Sequence, residues 1–350
     1  MTSMTSARAV VTVGVDTHSD THHAAVIDDV GRPLADAGFP TTPAGYRQLL
    51  AWAREHGPIT AFGVEGTGAY GAALARHLRA AGETVIEVDR PDRRTRRQRG
   101  KSDPIDAYAA AAAVLSGTAS GIPKTRDGLV EAIRTLRVAR RSAIKARTQA
   151  INQLKAVLLT GPAELRQALA GQSTRGLLGT CRRLRTDKGP AQATDPVTAA
   201  AKLTLRRLAR RIAALTEEID ELDAELRPLV AQAAPQLMAV YGVGTQVAGQ
   251  LLVTAGDNPD RLHSDAAFAQ LCGTAPLPAS SGRTTRHRLN RGGDRHANNA
   301  LHTIALVRLS SHPPTKAYAA RRRAEGLSNL EILRCLKRYI AREIHHVLVA

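Results

Sequence analysis

Aromatic side chains are scarce in this 350-residue chain, at 3% of its residues. A recognition surface built mainly on bases stacked against rings is therefore not expected. Cysteine is rarer still: Cys181, Cys272 and Cys335 stand far apart without paired metal-ligand spacing. That argues against a disulfide framework and a structural zinc, and points to a reducing compartment. No apolar run approaches the roughly 18 residues of a membrane-spanning helix, and the N-terminus lacks a signal peptide's basic region and apolar core. The expected location is cytoplasmic, with no membrane partner. Acidic residues are the minority charge, 31 against 49 Lys plus Arg, for a formal net charge of +18. Such an excess suits a polyanionic partner such as a nucleic acid.

Four of the acids occupy telling positions. Asp16 ends the run Ala9-Val10-Val11-Thr12-Val13-Gly14-Val15, a β-branched stretch short enough for a buried strand. The segment from His22 to Ile27 is apolar again, and Asp28-Asp29-Val30-Gly31 supplies the turn residues of a hairpin. Ile59 to Val64 reads as another strand and delivers Glu65 into Gly66-Thr67-Gly68, ahead of a helix over about 70–81. A strand from Thr84 to Val88 leads through a basic loop to Lys101-Ser102-Asp103-Pro104-Ile105-Asp106-Ala107, where Pro104 suits the first turn of a helix. A spacing of three puts Asp103 and Asp106 on one helical face.

Asp16, Glu65, Asp103 and Asp106 thus fall where a ribonuclease-H-like fold places metal ligands. Hard divalent cations such as Mg2+ prefer carboxylate oxygens, and a pair of them about 3.5–4 Å apart can assist both the attacking and the leaving oxygen of a phosphoryl transfer. Singly, each acid could be a solubilising strand end, and Asp103 a helix cap. Together and in this order they point to a metal-dependent enzyme acting on nucleic-acid phosphates.

Basic and helical segments follow. Arg90, Arg93, Arg94, Arg96, Arg97, Arg99 and Lys101 crowd the loop before Asp103, a candidate phosphate-binding segment. Asp127 to about Thr160 reads as a long helix with Arg137, Arg140, Arg141, Lys145 and Arg147 at its centre. Residues 161–196 are rich in Gly, Pro, Thr and Arg and read as a linker. Leu208, Ile212, Leu215, Ile219, Leu222, Leu226 and Leu229 alternate steps of four and three, as a coiled-coil seam requires, with Pro228 kinking or ending the last turn. From 236 to 257 the pattern is helix, Gly242-Val243-Gly244, helix, the form of a helix-hairpin-helix whose turn amides can hold a phosphate. Pro276 to Gly282 reads as a loop. A basic stretch with Arg283, Arg286, Arg288, Arg291 and Arg295 follows it, then helices near 297–311 and 328–348.

The whole chain resembles transposases of the insertion-sequence-110 family, DEDD recombinases guided by a structured bridge RNA. The matching residues are Gly14-Val15-Asp16, Val64-Glu65-Gly66-Thr67-Gly68, Lys101 to Ala107, Gly242-Val243-Gly244, and Pro276 to Gly282 followed by Asn290-Arg291-Gly292-Gly293. The resemblance implies three regions. Residues 1–120 would form an α/β RuvC-like (ribonuclease-H-like) catalytic domain, and 121–235 a basic helix, linker and coiled coil. Residues 236–350 would form a mostly α-helical transposase domain with the helix-hairpin-helix and a serine nucleophile.

It further implies that Asp16, Glu65, Asp103 and Asp106 bind Mg2+ and that Ser281 attacks DNA to form a covalent phosphoserine, with Ser280 as the alternative nucleophile. Donor and target DNA, the bridge RNA and a homotetramer built as a dimer of dimers would be the partners. Expected nucleic-acid contacts are Arg93, Arg94, Arg96, Arg97, Arg99, Lys101, Arg140, Arg141, Gly242, Gly244, Arg288 and Arg291. Many relatives carry Lys near the position of His18, to which no catalytic role is assigned. The competing classes are a RuvC-like endonuclease or junction resolvase that uses water, and a non-catalytic nucleic-acid-binding protein.

Overall fold

A computed structural model describes residues 10–88, 102–185, 189–282, 287–288 and 290–350. The basic loop from Arg90 to Lys101, with Arg283 and Arg286, lies outside the described residues. The described residues form two compact units. One joins the chain up to Glu131 with Leu251–Ala350, and the other is Ala132–Gln250.

The first unit is built on a five-stranded sheet. Its central strand β1 (Val11–Thr17) is buried at every residue, as a β-branched run flanked on both sides requires. It pairs antiparallel with β2 (Thr21–Ile27), which pairs antiparallel with β3 (Pro33–Pro40). On the other side β1 runs parallel to β4 (Ile59–Glu65), and β4 to β5 (Val85–Val88), for the order β3-β2-β1-β4-β5. The β2–β3 turn is held by Asp28, whose carboxylate accepts from the Val30 and Arg32 amides at 3.1 and 2.7 Å, while Gly31 takes a φ of 86°. The expected hairpin is therefore present. Its second strand, β3, left no periodic signal because it is a mostly exposed edge strand of small residues with Pro at both ends.

Parallel pairing needs crossovers, and two helices supply them. In α1 (Pro43–Glu55), Thr42 caps the N-terminus and Tyr46, Leu49, Leu50 and Ala53 are buried at helical spacing. In α2 (Ala72–Ala80), Leu74 and Leu78 are buried. These pack with Val13, Val15, Phe62 and Val64 in one core, each full burial being worth about 1.5–3 kcal/mol. Side chains alternate along a strand, so Gly14, Asp16, Gly63 and Glu65 face the opposite side, which α3 (Asp103–Leu115) covers.

The chain returns to this unit in the second half of α9 (Thr245–Ala255), which with α10 (Asp265–Leu271) leads to a two-stranded ribbon. The ribbon pairs β6 (Leu277–Pro278) with β7 (His287–Arg288). The helices α11 (Arg295–Ser311), α12 (Pro313–Ala324) and α13 (Asn329–Val349) finish the unit around Phe268, Leu301, Ile304, Ile332, Ile340 and Ile344. Residues 122–130 are tied to the end of α9 and the residues just after it. Lys124 Nζ donates to the Val253 carbonyl at 2.6 Å, and the Val130 amide to Asp257 Oδ1 at 2.8 Å.

The second unit is helical. It holds most of α4 (Leu129–Thr160), then α5 (Ala163–Leu169), α6 (Thr174–Arg183), α7 (Pro196–Ala233) and α8 (Pro235–Ala239). The stretch read as a linker contains α5 and α6, whose Leu165, Leu169, Leu177 and Cys181 pack on Leu154, Leu205 and Ile212. Glycine and proline there bound short helices rather than a flexible tether. Along α7, Leu205, Ile212, Ile219 and Leu226 are buried at intervals of seven. The row Leu208, Leu215, Leu222 and Leu229 is half-buried. Helix α7 continues past Pro228 to Ala233.

Candidate active site

Two glycines set the geometry of the site. Gly14 and Gly63 are in register across the parallel β1–β4 pair. A Cβ on Gly14 would stand 2.0 Å from the Ala107 carbonyl oxygen, and one on Gly63 would stand 2.8 Å from that of Ala110. The backbone of α3 therefore sinks into a side-chain-free groove of the sheet. Its face against the sheet carries Ala107, Ala110 and Ala111, all buried, and continues at spacings of three and four to Asp103 and Asp106 at the N-terminus. Two residues beyond each glycine, on the same face, come Asp16 and Glu65. One docking contact thus gathers acids from β1, β4 and α3.

The gathered acids differ in exposure. Asp16, Glu65 and Asp106 are buried at 5%, 8% and 2% exposure, whereas the Asp103 side chain is 53% exposed at the rim. His18 sits among them, with Nε2 3.1 Å from Asp16 Oδ2 and 3.3 Å from Asp103 Oδ1. Ligand atoms of Asp16, His18 and Asp103 all lie within 4.8 Å of one another. Burial raises the Asp16 pKa, and Asp106 and Asp103 raise it further against the opposing effect of His18. The ionised cluster is thus short of positive charge, and its donors, carboxylate oxygens and one imidazole nitrogen, fit a divalent cation.

The loop after Glu65 is equally constrained. Thr17 Oγ1 donates to the Glu65 carbonyl at 3.0 Å, Gly66 takes a φ of 60°, and a Cβ on Gly71 would stand 2.7 Å from that same carbonyl. These contacts hold the backbone that carries Glu65. His18 is the residue that sequence reasoning left without a role; its one signal was its position two residues after Asp16.

The remaining expected site residues are dispersed. Ser281 lies exposed in the loop after β6, next to Gly282 at a φ of 57°. Among the described residues it hydrogen-bonds to none of the four acids. Arg288 and Arg291 are exposed near it in the chain, and Asn290 holds the Arg291 turn by accepting from the Gly292 amide at 2.9 Å. Gly242 has a φ of 85° in the turn before α9, and Gly244 has open space around it. In the second unit Arg140 forms a two-pronged ion pair with Asp223 on α7, at 2.6 and 2.9 Å. Its neighbour Arg137 donates to Gln246 and Gln250, and burial pushes its pKa down to about 10.

Two family models match the chain. A transposase family of the DEDD type found in IS110 elements covers residues 13–161, and the IS116/IS110/IS902 transposase family covers residues 234–320. The chain belongs to the IS110 transposase family. The protein assigned as transposase of the IS117 mini-circle of Streptomyces coelicolor is 27% identical, over 96% of this chain and 93% of its own. The 42 kDa protein of insertion element IS900 from Mycobacterium paratuberculosis is 26% identical, over 94% and 93%. The IS1328 transposase of Yersinia enterocolitica is 27% identical, over 67% and 66%. Membership makes this transposase a DNA-cutting and DNA-rejoining enzyme with DNA as its substrate. None of its described helices is long and apolar enough to cross a membrane.

Proposed function

We propose that this IS110-family transposase cuts and rejoins DNA at a site where Asp16, Glu65, Asp103 and Asp106 hold Mg2+ and Ser281 is the nucleophile. The observation that carries the reading is the convergence of Asp16 and Asp103 around His18, beside buried Asp106 and Glu65. Bound there, divalent metal would supply Lewis-acid polarisation of the scissile phosphate and would lower the energy of an ionised serine oxygen. The chain's own part is positional: α3, docked on Gly14 and Gly63, fixes two ligands on a helix against two on strands. In the transfer itself the Ser281 hydroxyl gives up its proton as the Oγ–phosphorus bond forms. The bond from phosphorus to the leaving deoxyribose oxygen breaks, and that oxygen takes up a proton in exchange for the one the serine lost. The phosphoserine keeps the energy of the diester for rejoining.

The sheet order, with β1 to β3 antiparallel and β4 and β5 parallel to β1, supports a RuvC-like domain over residues 1–120. In the same reading 121–235 serve assembly through the α7 seam, and 236–350 form the transposase domain with its helix-hairpin-helix at Gly242 to Gly244. Family membership supports a bridge RNA partner and a tetramer, and the net charge of +18 suits nucleic-acid partners. Nucleic-acid contacts are assigned to Arg93, Arg94, Arg96, Arg97, Arg99, Lys101, Arg141, Gly242, Gly244, Arg288 and Arg291; Arg140 is engaged with Asp223.

Incubation with a nicked suicide DNA substrate, read on a denaturing gel, tests the mechanism. A protein–DNA adduct is expected, absent from Ser281→Ala and from Asp16→Ala. Cleavage with no adduct would convert the reading to a water-using nuclease, and an adduct surviving in Ser281→Ala would move the nucleophile to Ser280. Sequencing RNA that copurifies with the transposase tests the guide.

A further inference from the structure

A cleft of about 1330 Å³ opens in the C-terminal part of the first unit, lined by the β6–β7 ribbon, the Asn290–Gly292 turn and α13. It exceeds the roughly 300–1,000 Å³ of ordinary small-molecule sites, which favours a polymer over a metabolite. Its lining includes Arg288, Arg291, Arg322, Arg334, Lys337 and Arg338, against the single acid Glu331. Glu331 is already engaged, because its carboxylate accepts from the Ser328 amide and hydroxyl in the capping box of α13. Arg338 is paired with Asp265 at 3.0 Å, and Arg322 with Glu325. Arg288, Arg291 and Arg334 are exposed, and among the described residues none of them pairs with an acid. Three unneutralised guanidinium groups therefore surround one opening.

Tyr339 lines one side of the cleft. Tyr339 is 59% exposed and meets Tyr318 edge to face at 5.9 Å and 85°. Arg321 lies 5.6 Å from the centre of the Tyr318 ring. In a chain with so few aromatics, an exposed ring held edge to face against a second ring, in a cleft that arginines also line, is a platform rather than a core defect. Stacking on such a ring requires an unpaired base, and its affinity is indifferent to which base is offered.

We propose that this cleft binds an unpaired DNA strand, with a base stacked on Tyr339 and backbone phosphates on Arg288, Arg291 and Arg334. The proposal rests on the family's DNA substrate and on neither the metal nor the choice of nucleophile. β6 runs from this cleft into the loop that carries Ser281, so a strand held here lies beside that serine's segment.

The test places a reporter at the platform. In full-length Tyr339→Trp, emission from the new indole is measured over that of the wild-type protein, whose one Trp is Trp52. An oligothymidylate should quench it, and anisotropy of the same labelled oligonucleotide should report binding in parallel. Tyr339→Leu should weaken that binding about tenfold, within the range measured for loss of one stacked base, while Tyr339→Phe should not. Arg334→Gln should lower the salt slope of log affinity by about 0.7. Rising anisotropy without quenching would place the strand elsewhere and overturn the proposal. Equal quenching by a blunt duplex would remove the requirement for an unpaired strand, and tighter binding of oligouridylate would make the occupant RNA; either result overturns it as stated. The same quenching in a Ser281→Ala background separates this site from the catalytic reading.

Discussion

Gly14 lies so close to Ala107 that an added Cβ would stand 2.0 Å from its carbonyl oxygen. The contact joins the strand that carries Asp16 to the helix that carries Asp103 and Asp106, so its tightness sets the spacing of the acids. Overpacking in a filled interior costs about 1–3 kcal/mol, and displacement of reacting groups by about 1 Å can cost on the order of a hundredfold in rate. Gly14→Ala should therefore lower stability by about that amount in urea denaturation. DNA cleavage by the folded fraction should fall by about a hundredfold, and near wild-type cleavage would show that α3 does not need this contact.

Asp16 is a functional group held at the expense of stability. Its pKa is raised by burial first and then by Asp106 and Asp103, so ionisation is less favourable in the folded chain than in the unfolded one. That contribution to stability is present at pH below the unfolded value and is lost as pH rises through the folded one. At neutral pH without divalent cations, Asp16→Asn should raise stability by about 0.5–2 kcal/mol while abolishing cleavage. A lower melting temperature for Asp16→Asn under those conditions would contradict it.

Lys124 has the opposite sign. Burial pushes its pKa down to about 8, Arg261 and Arg126 add to the shift, and Asp294 and Glu87 resist it. Between about 8 and the ordinary lysine value of 10.5 the unfolded chain binds a proton that the folded chain releases, so this group's contribution to stability rises with pH. Compared with Lys124→Met, the wild-type urea midpoint should gain between pH 7.5 and 10. A flat difference would mean that the ammonium stays charged against the Val253 carbonyl.

Arg140 and Asp223 separate packing from nucleic-acid binding. Their side chains are 19% and 31% exposed, and a two-pronged pair in that setting should couple by about 1–3 kcal/mol in a double-mutant cycle. Arg140→Ala should destabilise the protein and leave the salt dependence of DNA affinity unchanged. A flattened salt slope with unchanged stability would make Arg140 a phosphate contact.

His18 supplies the last prediction. Its imidazole lies between Asp16 and Asp103, where a cation would also sit, so His18→Ala should alter Mn2+ affinity measured by electron paramagnetic resonance, about tenfold or more if the nitrogen is a ligand. Unchanged affinity would restrict His18 to a hydrogen bond that the ion displaces.

The sequence by itself determined the elements that carry the acids. β1, β4 and α3 are short-range patterns: a β-branched run, a strand ending in Glu-Gly-Thr-Gly, and a proline-started helix with aspartates three apart. It also determined the family, because those motifs recur in order along the chain. Other features had no local signature. Edge strand β3 is too small and exposed to show periodicity, and the glycines and prolines around α5 and α6 read as a linker until their leucines are seen in the core. Tertiary structure alone decided that Gly14 and Gly63 open a groove for α3, that His18 enters the acidic cluster, and that Arg140 meets Asp223 across 83 residues of chain. Periodicity reports which face of an element is buried, whereas close backbone approach and charge pairing depend on which distant residue arrives at that face.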